Sequence, residues 1–188
     1  MNITGDIGVY VHFPFCKKRC PYCDFKVDVF SRIPHRKYAL SVIKELSERA
    51  EPYLEGRQLR SIYFGGGTPS LWSIEWLVRV KEEILSLYKP QDSPVEITVE
   101  VNPKEVDSSL VKMLSQGGIN RISMGVQSFN DNNLKWLGRR HSRAEAQNAL
   151  ELFLSESDLR VTFDLICALP AQTVPEWMQE LSSAEPYF

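Results

Sequence analysis

No apolar run in this chain approaches the roughly 20 residues a helix needs to cross a bilayer. Net charge is nearly absent too. The 22 basic and 24 acidic side chains leave a formal −2, so composition offers no argument for nucleic-acid binding. The opening Met1-Asn-Ile-Thr-Gly-Asp6 lacks the basic stretch and apolar segment of a secretory signal. Cysteine is scarce, four in 188 residues, and nothing points to an oxidising compartment, so a reducing cytoplasm is the expected setting. Gly65-Gly-Gly67 has neither the Gly-Lys-Ser/Thr ending of a P-loop nor the spacing of a dinucleotide fingerprint. Repeats, linkers and low-complexity tracts are missing as well. What remains, 43% hydrophobic and 24% charged, describes one globular domain with a proper core.

Three of the four cysteines fall within eight residues, Cys16, Cys20 and Cys23, in a Cys-x-x-x-Cys-x-x-Cys loop. An odd number suits a disulfide poorly, because one thiol would be stranded. A Cys₃His zinc site is a rival, since His12 lies four residues before Cys16, although structural zinc usually draws on a second knuckle. A four-iron cluster is ordinarily held by four thiolates. Three would leave one iron open to a further ligand. Lys17, Lys18, Arg19 and Lys26 place positive charge beside these thiols, which favours the thiolate, or else they are ordinary solvated charges. Phe13, Phe15, Tyr22 and Phe25 could shield a cluster or belong to the core. Cys167, between Ile166 and Ala168, reads as a small buried hydrophobe.

Short β-rich runs alternate with helical patterns. The strand candidates are 9–13, 61–64, 97–101, 121–125 and 161–167. Between them Tyr38, Val42, Ile43, Leu46 and Ala50 recur at helical spacing, as do Trp76, Leu77, Val80, Ile84 and Leu87, and then Leu110, Val111 and Leu114. Gly117-Gly118 ends the third helix. Ser142 and Glu145 form a capping box for the next, whose Ala146, Ala149, Leu150 and Phe153 face inward, and a last helix starts at Pro175. Five βα units predict an α/β fold with parallel strands and right-handed crossovers, as a barrel or a doubly wound sheet. The polar and glycine-rich signals sit at the strand ends, and in parallel sheets the C-terminal strand ends converge on one mouth.

Several residues at those ends could hold a ligand. Gly65, Gly66 and Gly67 allow close backbone approach and could expose N–H groups to a carboxylate, or they make only a tight turn. Glu100 is an acid within an apolar strand, where a charge needs a partner. It could accept from ribose hydroxyls or pair with Arg121. Gln127 and Asp164 pose the same choice between ligand and core, and Arg139 could contact a ligand or face solvent.

Together these motifs resemble the radical S-adenosylmethionine (SAM) superfamily. The blocks Val11-His-Phe-Pro-Phe-Cys16, Phe64-Gly-Gly-Gly-Thr-Pro-Ser70, Ile122-Ser-Met-Gly-Val-Gln-Ser-Phe129 and Phe163-Asp-Leu-Ile-Cys-Ala-Leu-Pro170 are similar to those of the oxygen-independent coproporphyrinogen III oxidase family. The oxidase proper resembles Cys-x-x-x-Cys-x-x-Cys-x-Cys. Here the last position is Phe25, and Cys23-Asp-Phe25 looks like the HemW branch of haem chaperones. The resemblance implies a partial (β/α) TIM-like barrel of the radical SAM type, with residues 1–188 as the radical SAM core domain. It implies that Cys16, Cys20 and Cys23 ligate a 4Fe–4S cluster and that SAM chelates the fourth iron. SAM contacts are implied for Tyr10, Tyr22, Gly66, Gly67, Thr68, Glu100, Gln127, Arg139 and Asp164. The implied chemistry is reductive cleavage of SAM to a 5′-deoxyadenosyl radical, or cluster-gated haem transfer without turnover. The implied partners are haem or a porphyrin, a reducing electron donor and a haem-acceptor protein, with haem itself bound by a full-length protein. The alternatives are oxidative decarboxylation of coproporphyrinogen and a zinc-bound or purely structural domain.

Two departures from the family pattern stand out. Ala168 and Ala171 occupy positions where relatives more often carry glycine. The chain also stops at Phe188 after five strands, so the barrel is expected to be truncated before its last strand and its C-terminal domain.

Overall fold

The computed structural model describes residues 5–50, 57–88 and 94–188. Five strands form one parallel sheet: β1 (Gly5–Phe13), β4 (Arg57–Gly66), β5 (Glu96–Val101), β6 (Arg121–Gln127) and β7 (Arg160–Leu165). They pair in that order, each with the next strand of the repeat. Helices α1 (His35–Arg49), α2 (Ile74–Tyr88), α3 (Ser108–Gln116), α5 (Arg143–Glu156) and α6 (Val174–Ala184) complete the βα units, and a six-residue α4 (Asp131–Trp136) lies between β6 and α5. This is part of a (β/α) barrel. A two-residue parallel pair, β2 (Phe15–Cys16) with β3 (Asp28–Val29), closes the cysteine loop at its base.

The strands alternate, which sets the two faces of the sheet. On β5, Ile97, Val99 and Val101 are buried beneath the helices while Glu96, Thr98 and Glu100 point to the inner face. On β6, Ile122, Met124 and Val126 are buried, and Arg121, Ser123, Gly125 and Gln127 occupy the alternate positions. The apolar face packs on Leu77, Val80 and Ile84 of α2, Val111 and Leu114 of α3, and Leu150 and Phe153 of α5. Each of these side chains, taken out of water, contributes about 1.5–3 kcal/mol before the entropy of ordering it is counted.

The elements begin and end for local reasons. Ser142 caps α5 in a capping box with Glu145, and Thr173 does the same for α6 with Glu176, which puts Pro175 in the first turn. Helix α3 closes through Gly118, at φ +74°, with Ile119 N–H donating to Leu114 O at 3.2 Å. Helix α4 closes the same way through Gly138, at φ +68°, with Arg139 N–H donating to Leu134 O at 2.9 Å. That second closure fixes where Arg139 leaves the helix. The carboxylate of Glu180, only 5% exposed, accepts from Phe129 N–H at 2.6 Å, from Asn133 and from the Ser128 hydroxyl, tying α6 to the turn after β6.

Two expectations need correction, and one open choice is settled. Strand β7 stops at Leu165, so Cys167 lies outside it and is exposed rather than buried. The backbone turns there through Ala168, at φ +58°, and Ala171, at φ +63°. Strand β6 runs two residues past Gly125, with a register shift between Met124 and Gln127 that leaves Gln127 at φ +72°. Phe13 and Phe15 are core: Phe13 is fully buried and stacks on Trp72 at 5.0 Å, with Tyr38 closing the cluster. Tyr22 and Phe25, by contrast, are exposed.

Candidate functional site

A cavity of about 330 Å³ opens at the C-terminal ends of the strands. Cys16, Cys20 and Cys23 line it from the β1 side, with Tyr22 and Phe25 at its rim. Gly66, Gly67 and Thr68 come from the end of β4, Glu100 from β5, Gln127 from β6, Asp164 from β7, and Arg139 from beyond α4. Eleven of the twelve residues singled out in the sequence therefore share one cavity. Tyr10 is the exception. It is 56% exposed and stacks on Tyr63 at 5.9 Å, one side chain away from Glu100 and outside the cavity lining.

The turn after β4 is what holds the cysteine loop in place. Gly67 N–H donates to Phe13 O at 2.7 Å and Thr68 N–H to Phe15 O at 3.0 Å, so the glycine turn is stitched to the residues leading into Cys16. The Thr68 hydroxyl lies 3.6 Å from Cys16 Sγ. Gly66 adopts φ +113°, and a β-carbon there would meet the His12 ring at 2.7 Å. The N–H groups expected to greet a ligand carboxylate are therefore spent inside the protein, because Gly66 N–H donates to Glu100 Oε2 at 2.9 Å.

Glu100 does not pair with Arg121. Its other oxygen accepts from the Tyr63 hydroxyl at 2.9 Å, and Tyr63 is held a donor by a pKa pushed up to about 12, chiefly through burial. Arg121 sits in register with Thr98, two residues below, and reaches Glu96 at 3.5 Å, which Arg160 also contacts at 3.0 Å. Burial pushes the Glu100 carboxyl above the ordinary carboxylate range, opposed by the Tyr63 and Gly66 hydrogen bonds and reinforced by Asp164. Arg139 donates to Gly125 O at 2.7 Å and to the Tyr22 hydroxyl at 3.3 Å, and lies 3.8 Å from Cys20 Sγ. Its Nε is buried without a partner. Next to it His141, 4% exposed, binds Val126 O through Nε2 at 3.0 Å.

The thiols are primed differently from the sequence expectation. Burial pushes the Cys16 thiol up, the Thr68 hydrogen bond opposes this, and the neighbouring Cys23 and Cys20 reinforce it. The cation that lowers it is Arg139, not a loop lysine. All three are free thiols, partly buried. Among the described residues no three His, Cys, Asp or Glu side chains are gathered as one metal ion would need. His12 is also committed, with Nε2 to Lys26 O at 2.8 Å and Nδ1 to the Tyr10 hydroxyl at 3.2 Å. Three free thiols on one cavity fit a polynuclear cluster, in which each ligated iron takes one protein thiolate, better than a lone zinc ion. The residues present fit such a group.

Asn102 and Ser123 in the lining, and Tyr63 and His141 behind Glu100 and Arg139, complete the surroundings of this site; of these only Ser123 falls within a quoted motif block. Tyr63 was legible in hindsight only as the residue two before Gly65, on the same side of β4.

Comparison with known proteins agrees with this geometry. The model of the radical SAM superfamily matches residues 10–183, and the chain belongs to that family. It is 39% identical over 182 residues to the heme chaperone HemW of Haemophilus influenzae, covering 95% of this chain and 47% of that protein. HemW of Escherichia coli is 35% identical with the same coverage. The mitochondrial radical S-adenosyl methionine domain-containing protein 1 of Dictyostelium discoideum is 36% identical, over 95% of this chain and 43% of its own. The chain thus spans about half the length of the curated relatives it matches. Among solved structures, the coproporphyrinogen III oxidase HemN of Escherichia coli superposes with a TM-score of 0.83 at 27% identity, covering 96% of this chain and 42% of that one. Among the described residues no helix is long and apolar enough to cross a membrane.

Proposed function

We propose, from membership in the radical SAM superfamily, that Cys16, Cys20 and Cys23 hold a 4Fe–4S cluster and that SAM occupies the rest of the cavity. The carrying observation is the convergence of three free thiols with Glu100, Gln127, Arg139 and Asp164 on one cavity. The cluster with SAM supplies one-electron cleavage of a carbon–sulfur bond. The chain's own residues do the rest. Arg139 braces Cys20 and Tyr22 against the end of β6. Glu100, fixed by Tyr63 and Gly66, offers its remaining lone pairs to ribose hydroxyls or an ammonium. Asp164 adds a second acid to the cavity, and Tyr22 and Phe25 limit access of water to it.

Residues 1–188 act in this reading as the radical SAM core of a haem chaperone of the HemW type. The identities of 35–39% to HemW proteins support it, as does Phe25 at the place of the oxidase's additional cysteine. Haem, an electron donor and a haem-accepting protein are the corresponding partners. The structural likeness to HemN keeps coproporphyrinogen decarboxylation as the second reading.

Anaerobic reconstitution with iron and sulfide, followed by electron paramagnetic resonance, tests the site. A reduced four-iron signal that changes on adding SAM is expected, and Cys20→Ala should abolish it while the fold persists. A colourless parent protein that binds no iron would sink the proposal. Haem binding without conversion of coproporphyrinogen separates the chaperone from the oxidase.

A further inference from the structure

Among the described residues, the cations around the cysteine loop are concentrated and carry no acidic partners, whereas most of those elsewhere are paired. Between residues 17 and 37 the chain carries seven cations and two acids, a local excess of five positive charges in a chain of net −2. Lys17, Lys18, Arg19 and Lys26 on the loop, and Arg32, Arg36 and Lys37 at the start of α1, are all exposed. Among the described residues none of the seven forms an ion pair. Elsewhere Lys44, Arg49, Arg60, Arg79, Lys104 and Arg140, for example, each have an acidic partner within 4 Å.

These charges make one surface. Lys18 and Arg19 stand at the cavity rim, Lys17 is close enough to His35 to depress its pKa alongside burial, and Arg36 and Lys37 continue along α1. The first turn of α1 holds no acid, so the helix dipole adds to the positive potential. Apolar side chains are interleaved: Phe25 is 60% exposed, Val29 55% and Phe30 41%. Cations and aromatics on a patch with no internal counter-charge are the composition of a transient protein interface, and such a field accelerates capture of an oppositely charged partner. Lys17, Lys18 and Arg19 sit on the same loop as Cys16, Cys20 and Cys23, so this surface adjoins the wall of the cavity that holds the three sulfurs.

We propose that this surface docks a carboxylate-rich protein that carries single electrons, and that it is the entry port for the electron the cluster needs. The inference rests on the cluster reading above for its purpose, but not for the docking itself. One electron leaves the reduced carrier and enters the oxidised cluster; no atom or proton is transferred.

The test uses a reduced flavodoxin as the acidic carrier and the methyl viologen radical as a small cationic reductant. Arg32, Arg36 and Lys37 lie outside the cavity, so Arg32→Glu/Arg36→Glu/Lys37→Glu leaves the cluster's surroundings intact. At low salt flavodoxin should reduce the cluster-loaded triple variant at least about tenfold more slowly than the parent, and added salt should erase that difference. The neutral triple glutamine variant should fall between them. Reduction by methyl viologen should stay within about twofold, since a small reductant does not dock through this patch. Equal flavodoxin rates in parent and variant, or equal slowing with both reductants, would overturn the proposal. A chain that takes up no cluster would instead defeat the cysteine reading, and docking is then judged on the metal-free chain. Flavodoxin binding that weakens with salt and in the variant supports the port; its absence overturns it. So would capture of heparin or a tetracarboxylate porphyrin on this surface with no affinity for flavodoxin.

Discussion

Replacing Gly67 by alanine isolates the contact on which the cysteine loop depends. Gly67 has no positive φ, so alanine is tolerated by the backbone itself and the whole effect is steric. A β-carbon built there lies 2.6 Å from Phe15 O and 3.0 Å from Phe13 O, both main-chain atoms that cannot swing aside. Reaching ordinary van der Waals separation requires the loop to retreat by about 1 Å. That retreat would break the 2.7 Å bond from Gly67 N–H to Phe13 O and the 3.0 Å bond from Thr68 N–H to Phe15 O. Two backbone hydrogen bonds at about 1 kcal/mol each, with about 1 kcal/mol of overpacking, give about 3 kcal/mol of destabilisation. In a thermal scan this is about 6–12 °C for a domain of this size. Gly125→Ala is the control. Its β-carbon would crowd Gln127 Nε2 at 2.9 Å, the far end of a side chain, and only touch Arg139 Nη2 at 3.4 Å, so a loss below about 1 kcal/mol is expected. Urea unfolding of both variants, with iron content after anaerobic loading, decides the matter. Gly67→Ala should lose iron even under conditions where it is folded, because Phe15 leads directly into Cys16. If the two variants are equally stable, or Gly67→Ala loads iron normally, the glycine turn is not what holds the loop.

Other measurements follow from the same geometry. His141 is buried with a pKa lowered from 6.5 to about 4, by burial first and then by Arg139. The unfolded chain takes up a proton near pH 6.5 that the folded chain refuses, so stability present above 6.5 should be lost as pH falls toward 4, approaching about 3 kcal/mol. His141→Gln should flatten that acid limb in urea titrations at a series of pH values; an unchanged slope contradicts the assignment. Ala168→Gly and Ala171→Gly should each stabilise by about 0.5 kcal/mol, the left-handed penalty relieved less the added freedom of the unfolded chain. A loss of stability from either substitution would show that the methyl packs favourably where it stands.

What the sequence made legible was periodic, and what it hid was directional. The five strands announce themselves as β-branched runs, because each must bury one face under helices. Their ends do not, since the bulge that carries β6 on to Gln127 depends on pairing with β7 rather than on local residue type. Helix α4 escaped notice because six residues with Leu134 as the buried anchor display no period. Leu165-Ile-Cys-Ala reads as continuous strand, which would bury Cys167, whereas the strand ends at Leu165 and the backbone turns through the left-handed Ala168. Glu100 was offered Arg121 as a partner because both lie on the inner face. Register decided otherwise, setting Arg121 two residues lower, against Glu96. Sequence proximity sets the loop lysines beside the thiols, and Lys18 does line their cavity, yet the cation that lowers the Cys16 thiol arrives from the far end of α4.

The inner face of the sheet carries charge that is balanced at one end and not at the other. Near the strand starts, Glu96 is neutralised by Arg121 and Arg160. At the mouth, Glu100 and Asp164 have no ion pair among the described residues, and burial with mutual repulsion pushes the Glu100 carboxyl up. A ligand that sets positive charge against Glu100, as the ammonium or sulfonium of SAM would, favours the ionised carboxylate. Binding should therefore release a proton from Glu100 at mildly acidic pH, and affinity should rise with pH through that titration and level off above it. Calorimetry of SAM binding in two buffers of different ionisation enthalpy, at a series of pH values from the ordinary carboxylate pKa upward, reads both the proton release and the affinity. Glu100→Gln should lose the pH dependence together with part of the affinity. Affinity that falls as pH rises, or proton uptake on binding, would mean that the cation does not sit against Glu100, and the cavity would have to be read with its ligand the other way round.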